Sequence, residues 1–221
     1  MKPGVERDAG RFLIFLIIID AFLIVLHILH TYTALLPGTL FSIEKDGGYG
    51  ELFQYVKELW VVMLLLFLAR RKPRFLYITW SLLFLCLMLD DCLQVHEKWG
   101  HFLARYVNFR PPFGLRAQDL GELAVCISYG VPLVASVWVT GRRSGTAARK
   151  ISKHLLVMIG LLTFFGLGID MVHIMVEHSL LSPMSPILGV VEDGGEMIVM
   201  SLISWYVFRL VLRAKETRNF C

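Results

Sequence analysis

Cysteine is scarce in this 221-residue sequence, and its placement excludes two kinds of site. Cys86, Cys92 and Cys126 lie within long apolar segments, where we expect packing roles, and Cys221 is the last residue. No two cysteines form a Cys-x-x-Cys pair. The sequence therefore predicts neither a disulfide framework nor a thiolate zinc site.

The sequence also lacks internal repeats, low-complexity tracts and any sign of a domain boundary. We therefore expect a single integral membrane domain over residues 1–221. The first apolar run is too long for a cleavable signal peptide, and no small-residue cleavage site follows it, so we interpret it as a membrane span.

Long apolar segments dominate what is present. Apolar residues make up 56% of the chain, the mean hydropathy is +0.64, and the apolar residues come in blocks. These features are typical of a polytopic α-helical membrane protein. We predict an all-α fold, a bundle of six transmembrane helices. The spans cover approximately residues 12–31, 51–69, 75–97, 120–140, 155–178 and 187–212.

Basic residues are distributed unequally between the two ends of these spans. Both termini, the 2–3 loop and the 4–5 loop carry sixteen lysines and arginines, against five in the other three loops. Because basic residues favour the cytoplasmic side, we expect an N-in/C-in topology. The net charge of +4 then reflects topology and contact with anionic lipids, and we expect no nucleic-acid partner.

Ionisable residues within the spans gather at one end. With the predicted topology, every span brings such groups to the outer leaflet, whereas the inner halves are almost purely apolar. Charged groups inside a bilayer are costly, so this asymmetry indicates a functional site. Asp170, His173 and Glu177 share one helical stripe, and Asp90 and Glu97, seven residues apart, also align.

A shortage of basic residues indicates what this site binds. Nine intramembrane carboxylates face one buried lysine, Lys57, so some of them must be protonated, hydrated or bound to metal. Histidines beside carboxylates favour zinc, iron or manganese. Asp170 and His173 have a spacing similar to the Glu-x-x-His pair of di-metal bundles. The predicted cofactor is a divalent metal, iron or zinc, as one or two ions.

These positions define three groups of predicted site residues. The metal ligands are Asp90, Glu97, Asp170, His173, Glu177, Glu192 and Glu196. The catalytic bases are Glu97, Glu177 and Glu196. The supporting residues, which would contact the ligands or neighbouring helices, are Asp91, His96, Glu122, Asp193 and His178.

Structural explanations compete with a site for several polar residues. His27 and His30 are typical of hydrogen-bonded interface groups. Glu51, Lys57 and Glu58 are typical of an incompletely inserted helix start, with Lys57 paired to an acid. A structural network is also an alternative for the deeper acids, although polar bonds between membrane helices stabilise by only about 0.6–2 kcal/mol each.

Four motifs resemble those of an uncharacterised family of bacterial polytopic membrane proteins. They are "LDDCLQVHE" (89–97), "DLGE" (119–122), "GIDMVH" (168–173) and "VEDGGEM" (191–197). The resemblance covers spans 3 to 6 and implies no function. The histidine boxes of membrane desaturases and the serine motif of ceramidase-like hydrolases are absent.

We therefore expect a protein of the bacterial inner membrane, with its site facing the periplasmic or extracellular side. The first hypothesis is a metal-dependent oxidoreductase or hydrolase acting on a lipid or lipid-soluble substrate. The alternatives are a cation or proton transporter or channel and a structural or assembly subunit of a membrane complex. The apolar inner halves and the lack of duplicated halves argue against a transporter. Membrane lipids are the expected partners, and the sequence does not decide whether the protein forms an oligomer.

Overall fold

Helices account for almost all of the chain that the computed structural model describes, which is residues 3–70, 73–106, 111, 115–177 and 182–218. The helices are α1 Pro3–Tyr32, α2 Tyr49–Ala69, α3 Arg74–Leu93, α4 Val95–Ala104, α5 Ala117–Arg143, α6 Thr146–Thr163, α7 Asp170–Glu177 and α8 Ser185–Arg218. A π-helical segment, Phe164–Ile169, joins α6 to α7, and short 3₁₀ turns at Thr39–Phe41 and Ser182–Met184 precede α2 and α8.

Six helical segments are long and apolar enough to cross a membrane, which confirms the predicted bundle of six transmembrane helices. The chain is therefore an integral membrane protein. The segments are Gly4–Tyr32, Tyr49–Ala69, Arg74–Leu93, Ala117–Arg143, Thr146–Glu177 and Ser182–Glu216.

The third predicted span, 75–97, is wrong at its C-terminal end. α3 stops before Gln94, which adopts a left-handed backbone conformation (φ 50°), and α4 begins directly after it. A left-handed residue of this kind ends a helix, because the following backbone can no longer continue the hydrogen-bond ladder. The Gln94 amide donates a hydrogen bond to the Asp46 carboxylate (3.1 Å). Asp90 and Glu97 therefore lie on two different helices, and their predicted alignment is wrong.

Contacts between pairs of helices show how the bundle is arranged. Glu6 of α1 pairs with Arg209 of α8, whereas Asp20 pairs with Ser201, so α1 and α8 run antiparallel. We call the end of the bundle at which α1 ends and α2, α5 and α8 begin the acidic end, and the opposite end the basic end.

The apolar core lies in the half of the bundle nearer the basic end. Trp80 and Phe84 of α3 are fully buried together with Leu65 of α2, Leu155 of α6 and Ile203 of α8. Between membrane helices such packing acts through van der Waals contact, because lipid tails are as apolar as the side chains. The basic half is thus held together by side-chain packing, and the acidic half carries the polar groups.

A buried ion pair lies between these two halves. The Lys57 ammonium donates hydrogen bonds to Asp20 Oδ1 (3.0 Å), to Ser201 Oγ (3.3 Å) and to the Met197 carbonyl (2.8 Å). Lys57 is 0% exposed and Asp20 is 1% exposed. The prediction that Lys57 pairs with an acid is confirmed, but its place in an incompletely inserted helix start is wrong, because α1, α2 and α8 enclose it.

Two glycines bring α4 and α5 into backbone contact at the acidic end. A Cβ atom on Gly121 would lie 2.5 Å from the Gly100 carbonyl oxygen and 3.0 Å from the Gly100 Cα. Residues 100 and 121 must therefore remain small for α4 to pack on α5.

Asp119 fixes the start of α5, because its carboxylate accepts hydrogen bonds from the Arg116 backbone N–H (2.7 Å) and guanidinium (2.8 Å).

The glycine contact predicts unequal effects for two alanine substitutions in α5. Gly121→Ala should destabilise the protein by about 1–3 kcal/mol, because the added methyl meets backbone atoms that cannot move away. Gly130→Ala should be neutral or stabilising by up to about 1 kcal/mol, because nothing lies within 4 Å of a Cβ there. Equilibrium unfolding in detergent measures both changes, and equal effects of the two variants would contradict the close approach of α4 and α5.

Candidate functional site

The first histidine–carboxylate pair joins the end of α3 to the start of α4. The Asp90 carboxylate, on a residue that is only 6% exposed, lies 2.9 Å from His96 Nδ1 and accepts a hydrogen bond from the His96 backbone N–H (3.0 Å). The Tyr129 hydroxyl of α5 donates to the same carboxylate. Three donors from two segments therefore converge on Asp90.

The backbone break at Gln94 creates this pair. In a continuous helix, Asp90 and His96 would point about 120° apart, because each residue advances by about 100°. From the sequence, His96 is expected to contact the ligands or a neighbouring helix, and in the structure it contacts the predicted ligand Asp90. The left-handed conformation at Gln94 brings His96 back to Asp90 instead.

Cys126 lies beside the first pair. One ligand atom from each of Asp90, His96 and Cys126 can be chosen so that all three lie within 4.8 Å of one another. This is the one group of three such side chains with that spacing in the part of the chain that the structure describes. The Tyr129 hydroxyl is 3.8 Å from the Cys126 sulfur. From the sequence, Cys126 is expected to be a packing residue, and only its i, i+3 spacing to Tyr129 indicates a further role.

The second histidine–carboxylate pair joins α7 to α8. His173 Nδ1 lies 2.8 Å from Glu192 Oε2, and His173 Nε2 lies 2.9 Å from the Ser185 hydroxyl. A Cβ on Gly189 would collide with the Glu44 carboxylate and would lie 3.3 Å from His173 Cε1. Glu44, in the connection between α1 and α2, therefore lies next to this pair.

Glu58 of α2 is a further buried carboxylate. Glu58 is 2% exposed, and its Oε2 atom has no hydrogen-bond partner among the described residues. The charges that act most strongly on Glu58 are those of Asp91 and Glu196. Sequence reasoning missed Glu58, because a glutamate near the start of an apolar segment is typical of an exposed helix end.

The remaining predicted ligands are less closely grouped. Asp170 is half-buried, and its charge interacts with those of Glu122 and His173. Glu97 is half-buried on α4, where burial raises the pKa of its carboxyl. Glu177 is exposed at the last residue of α7. Among the described residues, neither Glu97 nor Glu177 forms a hydrogen bond or an ion pair with a histidine ring.

The remaining supporting residues are placed as follows. The Glu122 carboxylate accepts a hydrogen bond from the Gln118 amide (2.8 Å). Asp193 is half-buried on α8, where its charge interacts with those of Glu192 and Glu44. His178 lies outside the described residues.

Comparison with known proteins identifies a family. A family model described as a domain of unknown function (DUF8692) matches residues 13–211. The chain belongs to this family. The match agrees with the resemblance to an uncharacterised family that the motifs indicated, and DUF8692 assigns no activity. No curated protein and no solved structure matches the chain.

In this DUF8692 protein, the hydrogen bond that the His96 ring donates to the Asp90 carboxylate raises the pKa of His96 to about 9 from its usual value of 6.5. Because the pKa of His96 is higher in the folded state, the pair contributes fully to the free energy of unfolding below pH 6.5. This contribution is lost as the pH rises through about 9. The metal-free wild type should therefore exceed His96→Gln in stability by at most roughly 3 kcal/mol near pH 6, and this difference should vanish above pH 9.

Thermal unfolding in detergent with a chelator, at a series of pH values, measures this difference. His101→Gln is the matched control, because His101 is an exposed histidine on the same helix, and it should change little at any pH. A difference between wild type and His96→Gln that grows between pH 6.5 and 9 would contradict the ion pair.

Proposed function

We propose that this protein is a zinc-dependent membrane hydrolase that acts on a lipid or lipid-soluble substrate. The observation that supports it best is the convergence of Asp90, His96 and Cys126, with ligand atoms within 4.8 Å of one another. Zinc binds thiolate, imidazole and carboxylate, and its catalytic sites use three protein ligands and leave the fourth position open for water. A thiolate ligand favours zinc over the all-carboxylate sites of magnesium or calcium.

The neighbouring carboxylates could serve as the general base. Zinc in such a site lowers the pKa of its water and polarises the substrate carbonyl or phosphoryl group. Asp91 follows Asp90 directly, and the charges of both Asp91 and Glu97 act on His96. Either carboxylate could accept the proton of the attacking water, and Glu97 is one of the predicted bases.

The surroundings of Cys126 favour a substrate that arrives from the lipid. Cys126 and Tyr129 lie on α5, which also exposes Ile127, Val131 and Val134. In a membrane, exposed apolar side chains on a span contact lipid tails. A lipid-soluble substrate can thus reach α5 laterally. With N-in/C-in topology in a bacterial inner membrane, the acidic end and its site face the periplasmic or extracellular side.

The zinc proposal predicts metal content and a ligand-specific spectrum. Purified protein should contain about one zinc per chain, and replacement by cobalt should give a near-ultraviolet sulfur-to-cobalt charge-transfer band. Cys126→Ser should abolish the band, and Cys126→Ser and His96→Ala should each weaken zinc binding by at least about 100-fold. Metal analysis, absorption spectroscopy and competition with a chelator measure these changes.

Cys86→Ser and Cys92→Ser are the matched controls, because both cysteines lie on α3 outside the ligand group, and they should keep zinc and the band. Loss of zinc in His173→Ala but not in His96→Ala would move the site to the second histidine–carboxylate pair. Hydrolysis is tested by mass spectrometry of a total lipid extract incubated with the reconstituted protein. Products that form equally with Cys126→Ser would contradict a zinc hydrolase.

The buried ion pair supports a second candidate function, a proton or cation transporter. Lys57 and Asp20 carry polar groups to the middle of the bundle, and the charges of Glu58 and Glu196 act on Lys57 from the acidic side. Intramembrane acids and lysines of this kind form ion pathways in transporters. The described inner half offers fewer such groups, which is why we rank this candidate second.

Flux measurements separate the two candidates. For the hydrolase, we expect proteoliposomes to show no proton or metal-ion flux above that of empty liposomes, measured with a trapped fluorescent indicator. A flux that is present in the wild type and in Asp8→Asn, but absent in Asp20→Asn, would favour transport. Asp8 is the control because its side chain is 58% exposed near the N-terminus.

A further inference from the structure

The side chains of Ser185, His173 and Glu192 form a continuous chain of hydrogen bonds. His173 Nδ1 lies 2.8 Å from a carboxylate oxygen of Glu192, and His173 Nε2 lies 2.9 Å from the hydroxyl oxygen of Ser185. An ionised carboxylate can only accept a hydrogen bond, so Nδ1 donates to Glu192. In a neutral imidazole the other nitrogen is then the acceptor, and the Ser185 hydroxyl donates to it. The serine proton is therefore bonded to a nitrogen that can take it.

Helical spacing places the serine and the glutamate of this chain on one face of α8. They are seven residues apart, which is nearly two full turns. Gly189 lies between them, and a Cβ atom there would lie 3.3 Å from His173 Cε1, the ring carbon between the two nitrogens. The imidazole of α7 thus lies against the surface of α8, with one nitrogen toward the serine and the other toward the glutamate.

His27 has similar neighbours but a different arrangement. The Ser42 hydroxyl is 3.2 Å from His27 Nδ1, whereas the Glu44 carboxylate is 3.9 Å from Nε2, which is beyond hydrogen-bond distance. The Ile43 backbone N–H also donates to Nδ1, so this nitrogen already has a donor other than the serine. His27 is 2% exposed, whereas the side chain of His173 is 21% exposed. Only the His173 ring combines both hydrogen bonds with access from outside.

The order of groups around His173 is the one that activates a serine nucleophile. A nucleophile needs a base within about 2.6–3.2 Å, and the base needs a third group that orients its ring. The two contacts of the His173 ring, at 2.9 Å and 2.8 Å, meet both requirements. Triads of this kind are recognised by geometry, and their acid is an aspartate or a glutamate. The three side chains therefore have the geometry of a Ser-His-Glu triad.

The position of Ser185 favours an ester of a lipid as the substrate. Ser185 is the first residue of α8, and the partial positive charge of a helix N-terminus stabilises negative charge that develops nearby. Met184 and Ile187, on either side of it, are exposed, and the membrane-spanning segment begins at Ser182. The end of a span lies at the interface of the bilayer, where the ester bonds of glycerolipids also lie. A lipid ester can therefore reach the serine.

We propose that Ser185, His173 and Glu192 form a catalytic triad that transfers the acyl group of a lipid ester to water. The Ser185 oxygen attacks the carbonyl carbon of the ester while its proton moves to His173 Nε2. The bond between this carbon and the leaving alcohol breaks, and His173 returns the proton to the alcohol. Water then attacks the acyl-serine and gives a proton to His173, which passes it to the departing Ser185 oxygen as the carboxylic acid is released.

The residues of the triad have two kinds of role. Ser185 and His173 are catalytic residues, because they form the bond and carry the proton. Glu192 is a positioning residue, because it orients the imidazole and balances the positive charge that the ring gains. The triad does not depend on the zinc proposal, because it shares no residue with Asp90, His96 and Cys126 and its steps need no metal.

A fluorophosphonate probe tests the triad, because it bonds to an activated serine oxygen and releases fluoride. We expect labelling of the protein in nanodiscs, and mass spectrometry of its peptides should locate the label on Ser185. Ser185→Ala should abolish the labelling, and His173→Gln should slow it by at least about 100-fold, because the base is lost. Wild-type protein that is not labelled, or is labelled only at another serine, would overturn the proposal.

Glu192→Gln separates catalysis from a purely structural network. Glutamine has the size of glutamate and can still accept the hydrogen bond from His173 Nδ1, so a structural network would tolerate it. The triad also needs the negative charge, and we expect labelling to slow by about 100-fold or more. The unfolding temperature should stay within a few degrees of the wild-type value. Labelling of Glu192→Gln at the wild-type rate would overturn the triad.

Matched variants and a chelator serve as controls for the labelling. Ser182→Ala changes an exposed serine three residues before Ser185, and His101→Gln changes an exposed histidine on α4, so both should be labelled at the wild-type rate. Labelling should also be the same with and without a chelator. A missing cobalt band with intact labelling of Ser185 would contradict the zinc proposal alone, whereas a cobalt band without labelling would overturn the triad alone.

Turnover is measured with the 4-nitrophenyl ester of a fatty acid in the presence of a chelator. The wild-type protein should release 4-nitrophenol, and Ser185→Ala should reduce the release to that of empty nanodiscs. Equal release by the wild type and Ser185→Ala would overturn the proposal.

Discussion

The ion pair between Lys57 and Asp20 determines how charge is distributed in the acidic half of the bundle. It links α1 to α2, and Ser201 brings in α8 by donating to Asp20 (2.5 Å). A buried ion pair in low dielectric is stable only when its remaining donors and acceptors are also bonded. Lys57 meets this condition because all three of its donors form hydrogen bonds within that network. The acids nearer the acidic end therefore receive no hydrogen bond from Lys57.

The two halves of the bundle are consequently stabilised by different interactions. Large side chains such as Trp80 and Phe84 fill the basic half and leave little space there. In the acidic half, glycines allow close approach instead, as Gly100 and Gly121 do between α4 and α5. Small residues let helices meet by backbone, which leaves room for polar side chains around them. The division keeps a polar site inside a membrane protein without weakening its core.

Hydropathy was sufficient to predict the six helices, because a membrane span must be long, apolar and internally hydrogen-bonded. It could not predict the end of α3. Gln94 adopts a left-handed conformation without a glycine or proline nearby to indicate it, so helical spacing was carried through to Glu97. The pairing of His173 with a neighbouring acid was within reach of pattern reasoning. The grouping of Cys126 with Asp90 and His96 was not, and neither was the burial of Glu58. Both depend on contacts between helices that are distant in sequence.

The break at Gln94 decides which partners the two aspartates before it can reach. Adjacent residues on a helix point about 100° apart, so Asp90 and Asp91 cannot share the same partners. Asp90 contacts His96 and Tyr129, whereas Asp91 has no hydrogen bond to either of them. A continuous α3 would have carried His96 away from Asp90, and the histidine–carboxylate pair would not form.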